Sequence, residues 1–339
     1  MNGDYCLTDS FLAATSLTGK HSGFNSNECI WQKLGNNKKD AFQVENFLRS
    51  IEDDYTSACA KYFLRNPLTD PVWMLMEKER KDLLGLIINS KSTIIPVLHG
   101  IYEIPLKKIP VNLFRLKKIH SIQGSKREVL LLEDVMKKSG RKISDFFDYD
   151  LMNLNREQVI GKSQRAHGTE SSRAKFPEQR EKRTENDDQR TNSRVICGIE
   201  LRAPRLIDLD ELAPLQAAYE HEEVQHRGSV FSPAASRINL ANIITKGKIL
   251  IALVNGRIVG KINVSGMSFN RFLVGGVFVH PDYRGQGIAR IMTKEFINSL
   301  TTEGSGVTLF VKKTNIPARR LYTGLGFKMQ GDYRITYFF

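Results

Sequence analysis

Between positions 41 and 66 large apolar residues recur at helical spacing. Phe42, Val44, Phe47, Leu48 and Ile51 share one face, which predicts a single long helix. Two runs rich in large apolar residues follow, Val72–Glu77 and Leu84–Leu98, and each reads as one strand. Gly100 and Pro105 break that pattern, and a further strand is predicted over Val129–Leu132 with a helix over Glu133–Lys138. From 154 to 194 apolar residues nearly vanish while both charge signs are dense and mixed. Such a stretch cannot bury enough surface to offset its ordering entropy, so a flexible linker is expected between two domains, 1–153 and 195–339.

Past the linker the pattern sharpens. Val195–Leu201 predicts a strand, and Asp208–Val224 a helix with Leu212, Leu215, Ala218 and Tyr219 on one side. Ser232 is placed to cap a second helix running through Ile244. In Ile249–Val264 two β-rich runs flank Asn255-Gly256, a pair that supplies the positive φ angles of a type I′ turn and so predicts a hairpin. Strand Leu273–Val279, helix Ile288–Leu300, strand Val307–Val311, short helix Pro317–Thr323 and strand Asp332–Phe338 complete the series. The whole is an α/β (α+β) chain with a second, N-terminal α/β domain.

Composition narrows the partners. Fifty Lys and Arg against 37 Asp and Glu give a net charge of +13, which suits an anionic partner: nucleic acid, an acidic protein or a polyphosphate cofactor. Cys6, Cys29, Cys59 and Cys197 show neither a disulfide framework nor metal-ligand spacing, so a reducing, cytoplasmic setting and no metal are expected. The first residues lack a signal-peptide pattern and no run approaches 18 apolar residues, so no membrane association is expected.

The stretch V-F-V-H-P-D-Y-R-G-Q-G-I-A-R, Val277–Arg290, runs from a strand through a glycine-rich turn into a helix. Gly285 and Gly287 allow an anion close to the backbone, and the first amides of the helix point at it. Arg284 and Arg290 add positive charge, so this is a pyrophosphate cradle. It is neither a dinucleotide fingerprint nor a P-loop, because G-x-G-x-x-G and G-K-[ST] are missing. About 25 residues on, Asn315–Phe327 reads N-x-x-A-x-x-L-Y-x-x-x-G-F.

These two motifs, in this order behind an Asn-Gly hairpin, resemble the GNAT superfamily of N-acetyltransferases over about Val195–Phe339. The resemblance implies a mixed, mostly antiparallel sheet flanked by helices, its fourth and fifth strands (here Leu273–Val279 and Val307–Val311) splaying apart. It implies acetyl-CoA as co-substrate and an amine acceptor. The backbone of Val277 and Val279 would pair with the pantetheine arm, and the amide of Phe278 or Val279 would polarise the thioester carbonyl. Gly285, Gln286, Gly287, Ile288, Ala289 and Arg290 would hold the pyrophosphate, and Asn315 the pantetheine. Tyr322 would protonate the departing thiolate.

Many relatives carry a glutamate where this chain has Phe310, so the base must come from elsewhere. Glu222 and Glu223 are the candidates, in the region where the family holds its acceptor, with Glu220 and His226 as weaker ones. A weak base suits an α-amine, of pKa about 7.7–8.0, better than a lysine near 10.4. His280 reads as a surface turn residue, and Tyr333 and Tyr337 as core packing with an acceptor-pocket role as the alternative. The N-terminal half is expected to be a degenerate copy of the same fold, or an unrelated α/β domain. Other functions compatible with the sequence are an acyl-CoA sensor without catalysis, a basic nucleic-acid-binding protein, and an aminoacyl-transferring tandem enzyme; the intact cradle argues against the last.

Overall fold

A computed structural model describes residues 28–35, 37–101, 119–155, 193–301 and 305–339. The first half comprises β1 (Cys29–Lys33), α1 (Lys38–Ser50), α2 (Glu52–Leu64), β2 (Val72–Glu77), β3 (Leu83–Ser90), β4 (Thr93–Val97), β5 (Ser121–Ser125), α3 (Lys126–Lys138) and β6 (Ile143–Leu154). The second comprises β7 (Arg194–Ile196), β8 (Ile199–Arg202), α4 (Leu209–Tyr219), α5 (Pro233–Thr245), β9 (Ile249–Val254), β10 (Arg257–Met267), β11 (Arg271–Val279), α6 (Ile288–Thr301), β12 (Gly306–Lys312), α7 (Ile316–Leu325) and β13 (Lys328–Phe338). Short caps behave as their chemistry requires. Asn37, Ser232 and Asn315 accept first-turn amides of α1, α5 and α7, and Gly326 closes α7 at φ 102°.

All these strands form one sheet in the order β1-β2-β3-β4-β5-β13-β6-β12-β11-β10-β9-β8-β7. Only β4–β5 and β11–β12 are parallel pairs; every other neighbour is antiparallel. The two halves exchange their last strands. β6 lies between β12 and β13, and β13 lies between β5 and β6. The exchange carries core residues with it: Met152 and Leu154 of β6 are buried among second-half residues such as Val307 and Leu309, and Phe338 of β13 among Ile122, Leu132 and Met136. Burying a side chain of this size contributes about 1.5–3 kcal/mol.

Helix α2 straps the halves together over one face of the sheet. Glu52 accepts from Ser268 and from the Asn270 amide at 2.8 Å, so it caps the β10–β11 turn. Thr56 meets Thr308 at 3.2 Å, and Ser57 meets the Tyr333 hydroxyl at 3.0 Å.

Several expected elements differ. The helix over 41–66 is two helices, α1 and α2, broken at Ile51. Leu84–Leu98 is the β3–β4 hairpin, turning at Lys91 and Ser92, both at positive φ. Val129–Leu132 is helical, within α3, because Val129, Leu132 and Met136 form its buried face. Val195–Leu201 is a hairpin turning at Cys197-Gly198, and Asp208–Val224 divides into a 3-10 turn, α4 and a π-helical segment, Glu220–Val224. The hairpin at Asn255-Gly256 forms with both residues at positive φ, 49° and 76°. The linker expected over 154–194 lies, from 156 to 192, outside the described residues. Among the described residues no helix is long and apolar enough to cross a membrane.

Candidate active site

β11 and β12 pair side by side only from Arg271–Val274 against Gly306–Leu309. On its other side β12 pairs with β6 from Val307 opposite Leu154 to Lys312 opposite Tyr149, so past Leu309 it keeps only that neighbour. The last five residues of β11 therefore face a gap. On the other side Lys261 pairs with Phe278 and Asn263 with Gly275, two steps on β10 against three on β11, so β11 carries a bulge there, with Gly276 at φ 61°. The amide of His280 donates to Val259 on β10 at 2.8 Å. Alternation along the strand then turns the Phe278 amide towards β10 and the Val279 amide towards the gap. Of the two amides considered for polarising a carbonyl, Val279 is the one on the open side.

The strand leads through the turn at His280–Tyr283 into Arg284-Gly285-Gln286-Gly287 and the head of α6. Gly285 and Gly287 both stand at φ 79°, which an L side chain resists, and a Cβ on either would project into open space. That space is what a bound diphosphate needs. The first amides of α6, from Ile288 to Arg290, have no intrahelical acceptor and point out of its N-terminus. Ile288 itself is buried, so it offers only its backbone, and Ala289 packs against the core. Arg290 reaches α7, its guanidinium 2.7 Å from where a Gly324 Cβ would stand. Gln286 donates to the Asp282 carbonyl at 3.4 Å.

The acidic candidates lie across the gap, on the π-helical segment. Glu222 accepts from Arg284 at 2.8 Å. Glu223 accepts from the Asn315 side chain at 3.1 Å and pairs with Lys312 at 3.3 Å. Two groups expected to meet the cofactor, Arg284 and Asn315, are thus held by the two carboxylates expected to serve as base. Glu220 instead accepts from Gln216 at 2.6 Å, one turn back on α4. His226 stacks on Tyr337 at 3.7 Å, His280 caps its own turn by accepting from the Asp282 amide, and Tyr333 is buried. Phe310 packs on Tyr333 at 4.2 Å, so no proton acceptor stands at that position.

Tyr322 is buried between α7 and the core. Burial raises its phenol pKa above the ordinary 10, and Tyr219 and Glu223 close by raise it further. The same holds for Tyr219, pushed up by burial to about 12 with a backbone hydrogen bond from Gly276 acting the other way. Tyr149 of β6 is raised chiefly by burial, then by Tyr337, Tyr219 and Glu223. These tyrosines surround Glu223 and keep their protons near neutrality. Sequence reasoning missed Tyr149 because β6 was not read as a strand, Lys312 because the strand read over Val307–Val311 stops one residue short of it, and Lys261 because it is an isolated lysine in an apolar run. Among the described residues no group of three or more His, Cys, Asp or Glu is placed to hold a metal.

The parallel pair β11–β12 thus splays beside a glycine turn at the head of α6. Residues 215–327 match the sequence model of the acetyltransferase (GNAT) family, and the chain carries a GNAT domain in its C-terminal part. No curated protein sequence matches the chain. Among solved structures, the chain is similar to a GCN5-related N-acetyltransferase from Sphaerobacter thermophilus, at 14% identity and TM-score 0.54, covering 90% of this chain and 94% of that one. It is also similar to a tandem GNAT protein from the clavulanic acid biosynthesis pathway, at 12% identity and TM-score 0.51, covering 92% and 98%. A Drosophila protein shares 12% identity at TM-score 0.52, covering 87% and 88%. Likeness at these identities concerns the fold.

Proposed function

We propose that the protein is an acetyl-CoA-dependent N-acetyltransferase, with its chemistry in the second half and a silent counterpart of the same fold in the first. The observation that carries this reading is the open edge of β11 running into the Gly285–Gly287 turn at the head of α6. Acetyl-CoA supplies an acyl group activated as a thioester. The amides from Gly285 to Arg290, with Arg284 and Arg290, would hold its diphosphate. The backbone of Val277 and Val279 would pair with the arm, and the Val279 amide would donate to the carbonyl oxygen. Tyr322 keeps its proton at neutrality and would deliver it to the departing sulfur. Glu223, once freed from Asn315 and Lys312, would take the proton of the amine, and Glu222 is the alternative. The first half would shape the acceptor side through β6, whose Tyr149 lies opposite Lys312.

Mixing the protein with acetyl-CoA and a panel of amines, and following free thiol, tests the reading. Amine-dependent release is expected, faster for α-amines than for lysine side chains. Calorimetric binding without thiol release for any amine would leave an acyl-CoA sensor instead, a reading that Phe310 at the family's base position favours. Absence of binding would end both.

A further inference from the structure

Lys261 is fully enclosed, at 0% exposure. Its Nζ donates to the Gly276 carbonyl at 3.0 Å and to Asn263 Oδ1 at 3.4 Å, and lies 4.4 Å over the ring of Tyr219. Among the described residues it has no carboxylate within pairing distance. Enclosing an amine this way is costly, and burial lowers its pKa to about 7, with Glu220 opposing. A methionine would fill the same space without that cost, so packing alone does not account for a lysine here.

The geometry around Gly276 does account for it. A bulge leaves a backbone carbonyl without its ladder partner, and an unpaired buried carbonyl is unfavourable. Lys261 supplies the missing donor. On the other side of the same residue, the Gly276 backbone amide meets Tyr219. Asn263 closes the remaining space, since a Cβ on Gly276 would stand 2.0 Å from its Oδ1. Gly276 is therefore held at its carbonyl by Lys261 and crowded at its Cα by Asn263, one residue before the Val277–Val279 edge.

We infer that Lys261, with Tyr219 and Asn263, locks the β11 bulge and so aims the Val279 amide into the gap; Lys261 is a positioning residue for acyl transfer. This rests on the acetyltransferase reading above. It implies a separation of effects. The pyrophosphate cradle lies beyond the bulge and does not use the clamp, so cofactor affinity should survive its loss while turnover should not. Misplacing a reacting group by about 1 Å costs on the order of 100-fold.

The test compares full-length wild type with Lys261→Met and Tyr219→Phe. Turnover is measured by thiol release, and amide hydrogen exchange by mass spectrometry over 272–280. For Lys261→Met, kcat is expected to fall by roughly 10- to 100-fold, with KM for acetyl-CoA changed by less than about 3-fold. Exchange at 272–280 should rise while the melting temperature holds. Wild-type kcat in Lys261→Met overturns the inference, as does a parallel loss of kcat and acetyl-CoA affinity. If Lys261→Met does not fold, Tyr219→Phe decides: a lower kcat at constant KM supports the clamp, and wild-type kcat overturns it. If the wild type itself releases no thiol, the enzyme reading has failed, and exchange over 272–280 alone decides whether the clamp exists.

Discussion

The two parallel strand pairs, β4–β5 in the first half and β11–β12 in the second, each separate after a few residues, and they end differently. In the first half Leu98, just past β4, has its backbone taken up by side chains from the head of α3. Glu128 accepts its amide at 3.1 Å, and Arg127 donates to its carbonyl at 3.3 Å. Tyr55 of α2 adds its hydroxyl to Glu128. In the second half the helix that follows the parallel pair is α7, whose second and third residues are Pro317 and Ala318, and the edge of β11 runs instead into a turn of glycines at φ 79° at the head of α6. The seventh residue of α7 is Tyr322, whereas the seventh of α3 is the buried Leu132. The same divergence of strands is a packed wall where side chains satisfy the edge, and a groove where they do not. Sheet topology alone does not make a site; what occupies the split does.

The sharpest way to break this contrast is at Tyr322. If the second half alone is catalytic, Tyr322→Phe should lower kcat on the order of 100-fold or more while acetyl-CoA affinity holds. Steady-state rates with calorimetry would show it, and an unaffected kcat would remove the phenol from the mechanism. The next largest effect is expected at the turn. Valine at Gly285 or Gly287 carries roughly 1–2 kcal/mol of left-handed strain and intrudes on the anion's space, so acetyl-CoA should bind on the order of 10- to 100-fold more weakly. Unchanged affinity in both variants would mean that the groove is not where the cofactor sits.

What was legible in the sequence follows the same divide. The second half could be read because its signals are local: Asn255-Gly256 makes its own turn, Ser232 caps its own helix, and Gly285-Gln286-Gly287 needs no distant partner. The first half hid its elements behind acids, several of whose partners come from the far end of the chain. Glu128 and Glu133 interrupt the apolar face of α3, and Glu133 is satisfied by Arg334 and Thr336 of β13. Asp148 and Asp150 interrupt β6, and they are paired by Arg334 and Arg319. The β3–β4 turn uses Lys91 and Ser92 at positive φ, where no glycine or asparagine marks it. Lys261 was silent for a related reason: its partner is a bulged carbonyl, which residue identities do not announce.

Filling the first half's split should matter to stability and not to catalysis. Glu128→Ala leaves the Leu98 amide and the Tyr55 hydroxyl unpaired in the interior, at a cost of about 1–3 kcal/mol, with thiol release unchanged. The pH dependence sharpens the point. Burial holds the Glu128 carboxyl up at about 7 against an ordinary 4.5, opposed by its bonds to Tyr55 and Leu98. Folded protein therefore keeps a proton that the unfolded chain has lost, so this contribution is full below pH 4.5 and is lost as pH rises towards 7. Urea titrations from pH 4.5 to 7 should show wild type losing more stability over that window than Glu128→Gln. Equal slopes would mean that Glu128 is ionised in the fold.

The smallest effect is expected where the second half comes nearest to imitating the first. Glu222 on Arg284 is a side chain across the split, as Glu128 is, but both partners are nearly half exposed. Such a pair contributes at most about 1 kcal/mol, so a cofactor phosphate can displace it where nothing displaces Glu128. Glu222→Gln frees Arg284, and acetyl-CoA should bind no more than about 5-fold more tightly. The gain should shrink between low and high salt, because exposed charges are screened. Calorimetry at two ionic strengths separates the outcomes. Tighter binding at low salt means that the carboxylate competes with the ligand for the guanidinium. Weaker binding would place Glu222 within the cradle itself, and the groove would then be partly walled by acid on both halves of the sheet.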